Sequence, residues 1–340
     1  MPDSNSYPAP SSQTTPVSTS ASAPEPAVDL SVIICTYNRS GNLPLVLKCL
    51  AEQTDVENLQ WEVLVVDNNS SDDTRQVVET LSKTLPIRLR YTFETTQGLN
   101  YARNHGIDES KGRYVLYIDD DILVTRQWLH AMYQTLTNND ADSVGGRIHL
   151  QDDIKLPGWI KPDMYGFLGY QDYGDSPFPM DGVKQYPFGG NMAFNRRVID
   201  KIGKFNPKLG RKGEGKKRKE LFKGAEADFL HRLSSTDAKI NYTPDGLVYH
   251  MIKPHQLTKR YFRILHFNHG VQEAFYSSDS YPRRLFGVPL FLFGQAGRHS
   301  MKYLGILLTQ GSETAFRQQM NVAYFIGRII GFSRASRVQE

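Results

Sequence analysis

Two cysteines, Cys35 and Cys49, are all that 340 residues contain. They form no disulfide framework, and no CxxC pair points to structural zinc, so the sequence fits a reducing compartment. No run of about 18 uncharged apolar residues occurs, which excludes the ordinary transmembrane helix. No GxGxxG follows the first apolar segment, so a dinucleotide fold is not expected, and no GxxxxGK(S/T) phosphate loop is found. Residues 1–28 are rich in Ser, Pro, Thr and Ala. They lack a basic start followed by an apolar core, and read as a disordered leader rather than a signal peptide. Charge of neither sign is scarce. Lys and Arg total 40 against 36 Asp and Glu, for a formal +4. That mild excess suits a phosphate-rich substrate or an anionic membrane surface and requires neither. The basic run at residues 211–223 is not interleaved with stacking aromatics, so nucleic acid is not an expected partner.

What is present centres on Gly112–Val124, GRYVLYIDDDILV. Tyr114 to Ile118 reads as a strand buried on both faces. It runs into Asp119, Asp120 and Asp121, then the apolar Ile122 and Leu123. Three carboxylates between apolar segments are costly unless a positive partner compensates them. A hard divalent cation with oxygen ligands would do so; a solvated acidic turn is the simpler alternative.

Upstream, strand-like runs alternate with helical spacing. Residues 30–35, 62–66 and 87–93 read as strands. Leu43 to Leu50, the stripe of Val77, Val78 and Leu81, and residues 99–109 read as helices. Ser70 and Asp73 have capping-box spacing. The alternation predicts an α/β fold with a mostly parallel, Rossmann-like sheet flanked by helices, which binds ligands at the carboxyl ends of its strands. Polar clusters at Thr36–Arg39, Asp67–Ser70 and Asp119–Asp121 all fall at such ends.

Further on, residues 127–136 read as helix and 142–148 as strand. Residues 151–187 are aperiodic and look substrate-facing. The paired glycines of FGGNMAF suggest backbone approach to a ligand. Short elements are expected at 198–203 (helix), 226–233 (helix), 240–242 (strand) and 247–249 (strand). Residues 211–223 carry seven basic residues against Glu214 and Glu220. That run reads as a solvated loop or as one that touches phosphate or anionic lipid. From about residue 254 short apolar stretches alternate with Arg and Lys. They read either as a helical subdomain on the core or as segments lying in a membrane interface.

Seven segments, taken together and in order, resemble the bacterial family 2 glycosyltransferases of GT-A fold. They are SVIICTYNR, VLVVDNNSSDDT, GLNYARNHGI, GRYVLYIDDD, FGGNMAFNRR, GAEADFLHRL and YTPDGLVYH. The resemblance runs from about Leu30 to His269. It implies a catalytic domain over 29–253, with 254–340 a mainly helical extension. It also implies an inverting, metal-dependent transfer from a nucleotide sugar, a UDP-sugar by the usual family pattern. The acceptor would be a saccharide or lipid-linked glycan, in cell-surface glycan synthesis, with the enzyme cytoplasmic or at the cytoplasmic face of the membrane.

Residue by residue, the resemblance implies that Thr36, Tyr37 and Arg39 hold the nucleotide and that Asp67 receives the base. Arg103 and Asn104 would border the nucleotide and its phosphates. Asp119 and Asp121 match a DxD motif, with Asp121 on Mn2+ or Mg2+, Asp119 near the ribose or an indirect metal contact, and Asp120 the less defined nucleotide-side member. The family often writes Gly, acidic, acidic, any, acidic where this chain has Gly224, Ala225, Glu226, Ala227 and Asp228. Glu226 falls on the position of the general base, with Asp228 in reserve; a carboxylate favoured by a helix N-terminus is the plainer alternative. His250 would approach the metal or the diphosphate, or else be a buried histidine bonded to backbone. Gly189, Gly190 and Asn191 match a stretch that lines the sugar or acceptor site. Ala225 departs from the pattern. It leaves open a non-catalytic protein that binds sugar nucleotide or glycan, beside a nucleotidyltransferase that uses metal-bound carboxylates.

Overall fold

The computed structural model describes residues 28–213, 220, 224–276 and 281–338. The leader up to residue 27, and most of the basic run at 211–223, lie outside the described residues. The first half alternates as the spacing predicts: β1 (Leu30–Thr36), α1 (Leu43–Ala51), β2 (Trp61–Asp67), α2 (Thr74–Leu81), β3 (Leu89–Phe93), α3 (Leu99–Glu109) and β4 (Tyr114–Asp119). Strands β3, β2, β1 and β4 lie side by side and parallel. The register pairs Thr36 with Asp67 and Cys35 with Asp119, so the carboxyl ends of β1, β2 and β4 finish level. That alignment gathers the three polar clusters on one edge of the sheet.

Beyond β4 the sheet becomes mixed. It continues through β5 (Ile122–Val124), α4 (Trp128–Asn138), β6 (Ser143–Leu150), β7 (Phe178–Pro179), β8 (Asn191–Asn195), α5 (Arg197–Ile202), α6 (Ala225–Ser234) and β9 (Ile240–His250). The spatial order is β3-β2-β1-β4-β8-β6-β9-β5, with β7 on β9. β8 inserts antiparallel between β4 and β6, and β9 runs parallel to β6. The glycine-containing FGGNMAF segment is thus largely a central strand. The two short strands expected at 240–242 and 247–249 are one strand, irregular opposite Gly146 and Ile148. Helix α2 does not start behind Ser70. The Ser70 hydroxyl instead accepts the Asn38 N–H at 2.9 Å, tying the loop after β1 to the loop after β2.

Alternation along β1 divides the core. Leu30, Val32 and Ile34 pack with α1 and α4 through Leu47, Leu50 and Trp128. Ile33 faces the other side, with Ala102 of α3, Phe194 of β8 and Phe229 of α6. A third apolar cluster joins Trp159 and Leu168 to α7 (Lys259–Tyr276) and α8 (Leu290–Val338) through Phe262, Phe316 and Met320. Between these helices, β10 (Arg284–Leu285) and β11 (Val288–Pro289) form a small hairpin. α8 is broken at Gly311, whose φ of 83° is not helical, so it consists of two arms.

Candidate active site

A cleft of about 840 Å3 opens at the carboxyl edge of the sheet. Its floor carries Thr36, Tyr37 and Arg39 from the loop after β1, together with Asp119, Asp120 and Asp121. Asn68, beside Asp67, also lines it. A 3-10 turn at Pro162–Leu168 and one stripe of α7 also line it; the stripe is Tyr261, Leu265, His269, Gln272 and Glu273.

The three aspartates have separate surroundings. Asp120 is a lock on the loop after β1. Its carboxylate accepts Thr36 Oγ1 at 2.7 Å and Arg39 Nη1 at 2.6 Å, and its carbonyl accepts Asn42 Nδ2 at 3.0 Å. Burial, joined by the charge of Asp121, holds the Asp120 carboxyl up at about 6 although Arg39 pulls it down. Arg39 also donates to Asp121 Oδ2 at 2.6 Å, so its guanidinium bridges two aspartates. Asp119 is raised as well, by burial above all, with the Arg103 charge opposing. Asp121 goes the other way. Burial pushes it up, but His250 and Arg39 together outweigh that and hold it well below the usual carboxylate range.

His250 ends β9 with Nε2 at 3.3 Å from Asp121 Oδ1 and Nδ1 at 2.7 Å from the Leu168 carbonyl. A carbonyl can only accept, so Nδ1 carries the proton there. Nε2 then faces a carboxylate oxygen, and two acceptors in contact need a proton or a cation between them. Burial favours the neutral ring, yet Asp121 raises His250 above its ordinary value. A backbone-oriented imidazole opposite a carboxylate is also a usual arrangement for holding a divalent ion. Among the described residues no group of three or more His, Cys, Asp or Glu could hold a metal by itself. The chain therefore offers a two-point platform, Asp121 and His250, whose remaining ligands would come from elsewhere. The donor set fits Mn2+ or Mg2+ on those terms.

Arg103 is the second centre. Its side chain is 3% exposed and lies 5.3 Å from the Phe205 ring and 5.8 Å from the Tyr117 ring. Its Nη1 is buried with no hydrogen-bond partner and stands 3.7 Å from Glu226 Oε2. Gly189 lies against it: a Cβ there would meet Arg103 Nη2 and oblige the guanidinium to shift. Gly190 lines the cleft next to Asp119. Glu226 sits in the first turn of α6, entered through Gly224 at φ 94°. The positive φ at 224 disfavours a side chain there, and a Cβ would also displace the Gln272 amide. Asp228 borders the cleft as well, but it accepts Arg232 Nε at 3.1 Å, and Arg232 in turn binds the Ile202 and Lys204 carbonyls.

Other expected site residues are turned to structural bonds. Asp67 accepts the Ser70 N–H and the Tyr91 hydroxyl, each at 2.9 Å, and is 3% exposed. Asn104 donates to the Phe205 carbonyl and accepts the Phe205 N–H. Asn191 is fully buried, accepts Trp128 Nε1 and donates to the Arg147 and Gly246 carbonyls. The structure does not bring the Asn104 and Asn191 side chains into the cleft wall. It brings in others to which the sequence assigns no role of their own, although Asn68 lies in the Asp67–Ser70 cluster and Tyr186 in the 151–187 stretch. Asn68 accepts the Gly98 N–H at 2.7 Å and so fixes the start of α3. Arg211 lines the cleft and is held above its ordinary value: burial opposes this, while Tyr261, Asp119 and Asp121 favour the cation. Tyr186 is pushed up to about 12 by burial and by Glu226. Only the basic run hinted at Arg211.

A family model described as "Glycosyl transferase family 2" matches residues 31–203. The succinoglycan biosynthesis protein ExoM of Rhizobium meliloti is 24% identical over 247 residues, 71% of this chain and 74% of that protein. Glycosyltransferase AglE of Haloferax volcanii is 26% identical over 238 residues, 69% and 71% of the two chains. Among solved structures, the mannosyltransferase PcManGT of Pyrobaculum calidifontis, in complex with GDP-Man and Mn2+, superposes with a TM-score of 0.58. It is 18% identical, over 94% of this chain and 90% of that one, which is a likeness of fold.

Proposed function

The chain belongs to glycosyl transferase family 2, and from that premise we propose that the cleft binds a nucleoside diphosphate sugar and passes the sugar, with inversion, to a hydroxyl of a saccharide or lipid-linked acceptor. The observation that carries this reading is the unbonded edge of Arg103. It lies between the Asp119–Asp121 side of the cleft and Glu226, in a buried position that calls for an anion. A diphosphate supplies that anion, with Arg211 as a second cation lining the cleft.

In this reading Thr36, Tyr37 and Asn68 border the nucleoside, with Asp67 behind them at the end of β2. Glu226 is the general base. The acceptor oxygen attacks the anomeric carbon from the face opposite the diphosphate, and its proton passes to the Glu226 carboxylate. The bond from the anomeric carbon to the phosphate oxygen breaks, and its electron pair leaves with the diphosphate. Arg103 and Arg211 already border the cleft before the reaction, and their charges stabilise that growing charge. Mn2+ or Mg2+ would be held by Asp121 and His250, and when bound it adds positive charge at the departing diphosphate. Asp120 keeps the loop after β1 in place through Thr36 and Arg39.

The test is donor turnover by the purified chain. UDP-glucose, UDP-galactose, UDP-GlcNAc and GDP-mannose are each supplied with Mn2+ or with EDTA, and released nucleoside diphosphate is measured. Metal-stimulated release from at least one donor is expected. Absence of both binding and release for every donor sinks the reading, and equal release in EDTA sinks its metal component. Retained anomeric configuration in the product would rule out single displacement.

A further inference from the structure

The first arm of α8 is the outer layer of a three-layer helical stack. Its inner stripe packs on the second arm: Leu292 is fully buried, His299 stacks on Phe325 at 4.8 Å, and the Tyr303 hydroxyl accepts Gln319 Nε2 at 3.2 Å. The second arm packs on α7, with Phe316 and Met320 in the cluster of Phe262 and Gly327 against the Phe267 backbone. The outer stripe of the first arm is apolar and open to solvent. Leu290, Phe293, Met301, Leu304 and Leu308 recur at spacings that place them on one side of a helix. Met301 is 70% exposed and Leu308 86%.

The adjoining hairpin repeats the pattern. Its two-residue turn, Phe286–Gly287, has φ of 49° and 76°. Such a turn favours Asn, Asp or Gly at both positions. A phenylalanine there is conformationally disfavoured, and its ring is 86% exposed. Nothing in the packing accounts for it, so its use lies outside the fold.

Charge identifies the occupant. From Tyr281 to Ser312 there is no Asp or Glu, whereas Arg283, Arg284, Arg298 and Lys302 are all present. All four are exposed. A two-fold pairing with a second copy would set this all-cationic layer against itself. No helix among the described residues is long and apolar enough to cross a membrane. We propose that this face docks on an anionic lipid bilayer, with the first arm of α8 lying in the interface, Phe286 inserted at the hairpin tip, and the four cations on lipid phosphates. The inference does not rest on the glycosyl-transfer reading.

The experiment is co-sedimentation of the full chain with phosphatidylcholine vesicles, with and without phosphatidylglycerol, at low and high salt. Binding to the anionic vesicles is expected. Replacing Arg298 and Lys302 together by Gln should weaken it by about thirtyfold. Phe286→Asp combined with Leu308→Glu should weaken it by at least about tenfold. Both variants alter exposed positions, and unchanged far-UV circular dichroism establishes that they fold. Three results would overturn the proposal: no binding to anionic vesicles, equal binding to neutral ones, or undiminished binding by the folded Phe286→Asp, Leu308→Glu variant. A dimer seen by light scattering and dissociated by Leu308→Glu would assign the face to a second copy instead.

Discussion

Arg103 and Glu226 face each other at 3.7 Å, Nη1 to Oε2, across a cleft in which that guanidinium edge has no hydrogen bond. The carboxylate is therefore next to a cation but not locked by it, and it is 26% exposed to an incoming hydroxyl. Asp228, in contrast, is bonded to Arg232, which anchors two backbone carbonyls. Glu226→Gln should lower transfer by about a hundredfold to ten thousandfold, with donor affinity nearly unchanged. Asp228→Asn should lower the melting temperature more than it lowers the turnover of folded enzyme. Full transfer by Glu226→Gln, measured as glycosylated acceptor, would remove it from the role of base.

Gly189 tests the position of Arg103 separately. The added methyl of Gly189→Ala would meet the end of a guanidinium that lies beside the Tyr117 and Phe205 rings and borders the cleft, and would displace it. A shift of about 1 Å in such a group can cost on the order of a hundredfold in rate. Donor KM should rise and kcat/KM fall by up to about that factor, while circular dichroism stays unchanged. Wild-type kinetics would show that Arg103 does not contact the donor.

The His250 and Asp121 pair predicts a graded response to metal. Asp121→Ala removes the carboxylate and should abolish metal-stimulated donor turnover. His250→Ala leaves the carboxylate but loses the oriented imidazole, so the Mn2+ concentration for half-maximal turnover should rise by about ten- to a hundredfold. A metal titration that is identical in wild type and His250→Ala would restrict the histidine to holding the Leu168 loop.

The edge of the sheet was legible because β1, β2 and β4 are apolar runs that end abruptly in polar residues, and their parallel register makes those ends level. Asp119, Asp121 and Glu226 were legible through motifs. What local spacing does not encode is which distant group satisfies a side chain. Asn191 follows two glycines that border the cleft, yet its amide ties β8 to β6, β9 and α4. Arg211 lay in a charge run that reads more readily as a solvated loop. The cleft-facing stripe of α7 includes Tyr, Leu, His, Gln and Glu, a mixture with no clear amphipathic signature, because its other side is covered by α8. β8 was obscured because an antiparallel strand inserted beside β4 depends on pairings far apart in the chain.

Asn191 yields a prediction about stability. Asn191→Ala strips the partners from Trp128 Nε1 and from the Arg147 and Gly246 carbonyls, all at a fully buried side chain. Each orphaned group costs about 1–3 kcal/mol, not additively. A loss of at least about 2 kcal/mol in chemical denaturation is therefore expected. Intact stability with lost transfer would instead make Asn191 a ligand-contacting residue.

Acid sensitivity should trace to Glu62, at the other end of the sheet from the cleft. Its side chain is fully buried and accepts Ser31 Oγ at 2.7 Å, the Lys111 N–H at 2.9 Å and Arg90 Nη1 at 2.9 Å. Burial raises the carboxyl, but these bonds together lower it below its ordinary 4.5. A carboxyl depressed by folding adds stability that is complete above the unfolded value and is lost as pH falls through the folded one. Wild type should therefore lose stability as pH drops below about 4.5. Glu62→Gln should be less stable at neutral pH by about 1–3 kcal/mol, because Arg90 and Ser31 lose a charged acceptor. The two stability curves should then converge toward low pH, since protonated Glu62 resembles Gln. Urea denaturation of both proteins from neutral pH into that acid range measures the gap, and a gap constant with pH would place the acid sensitivity elsewhere.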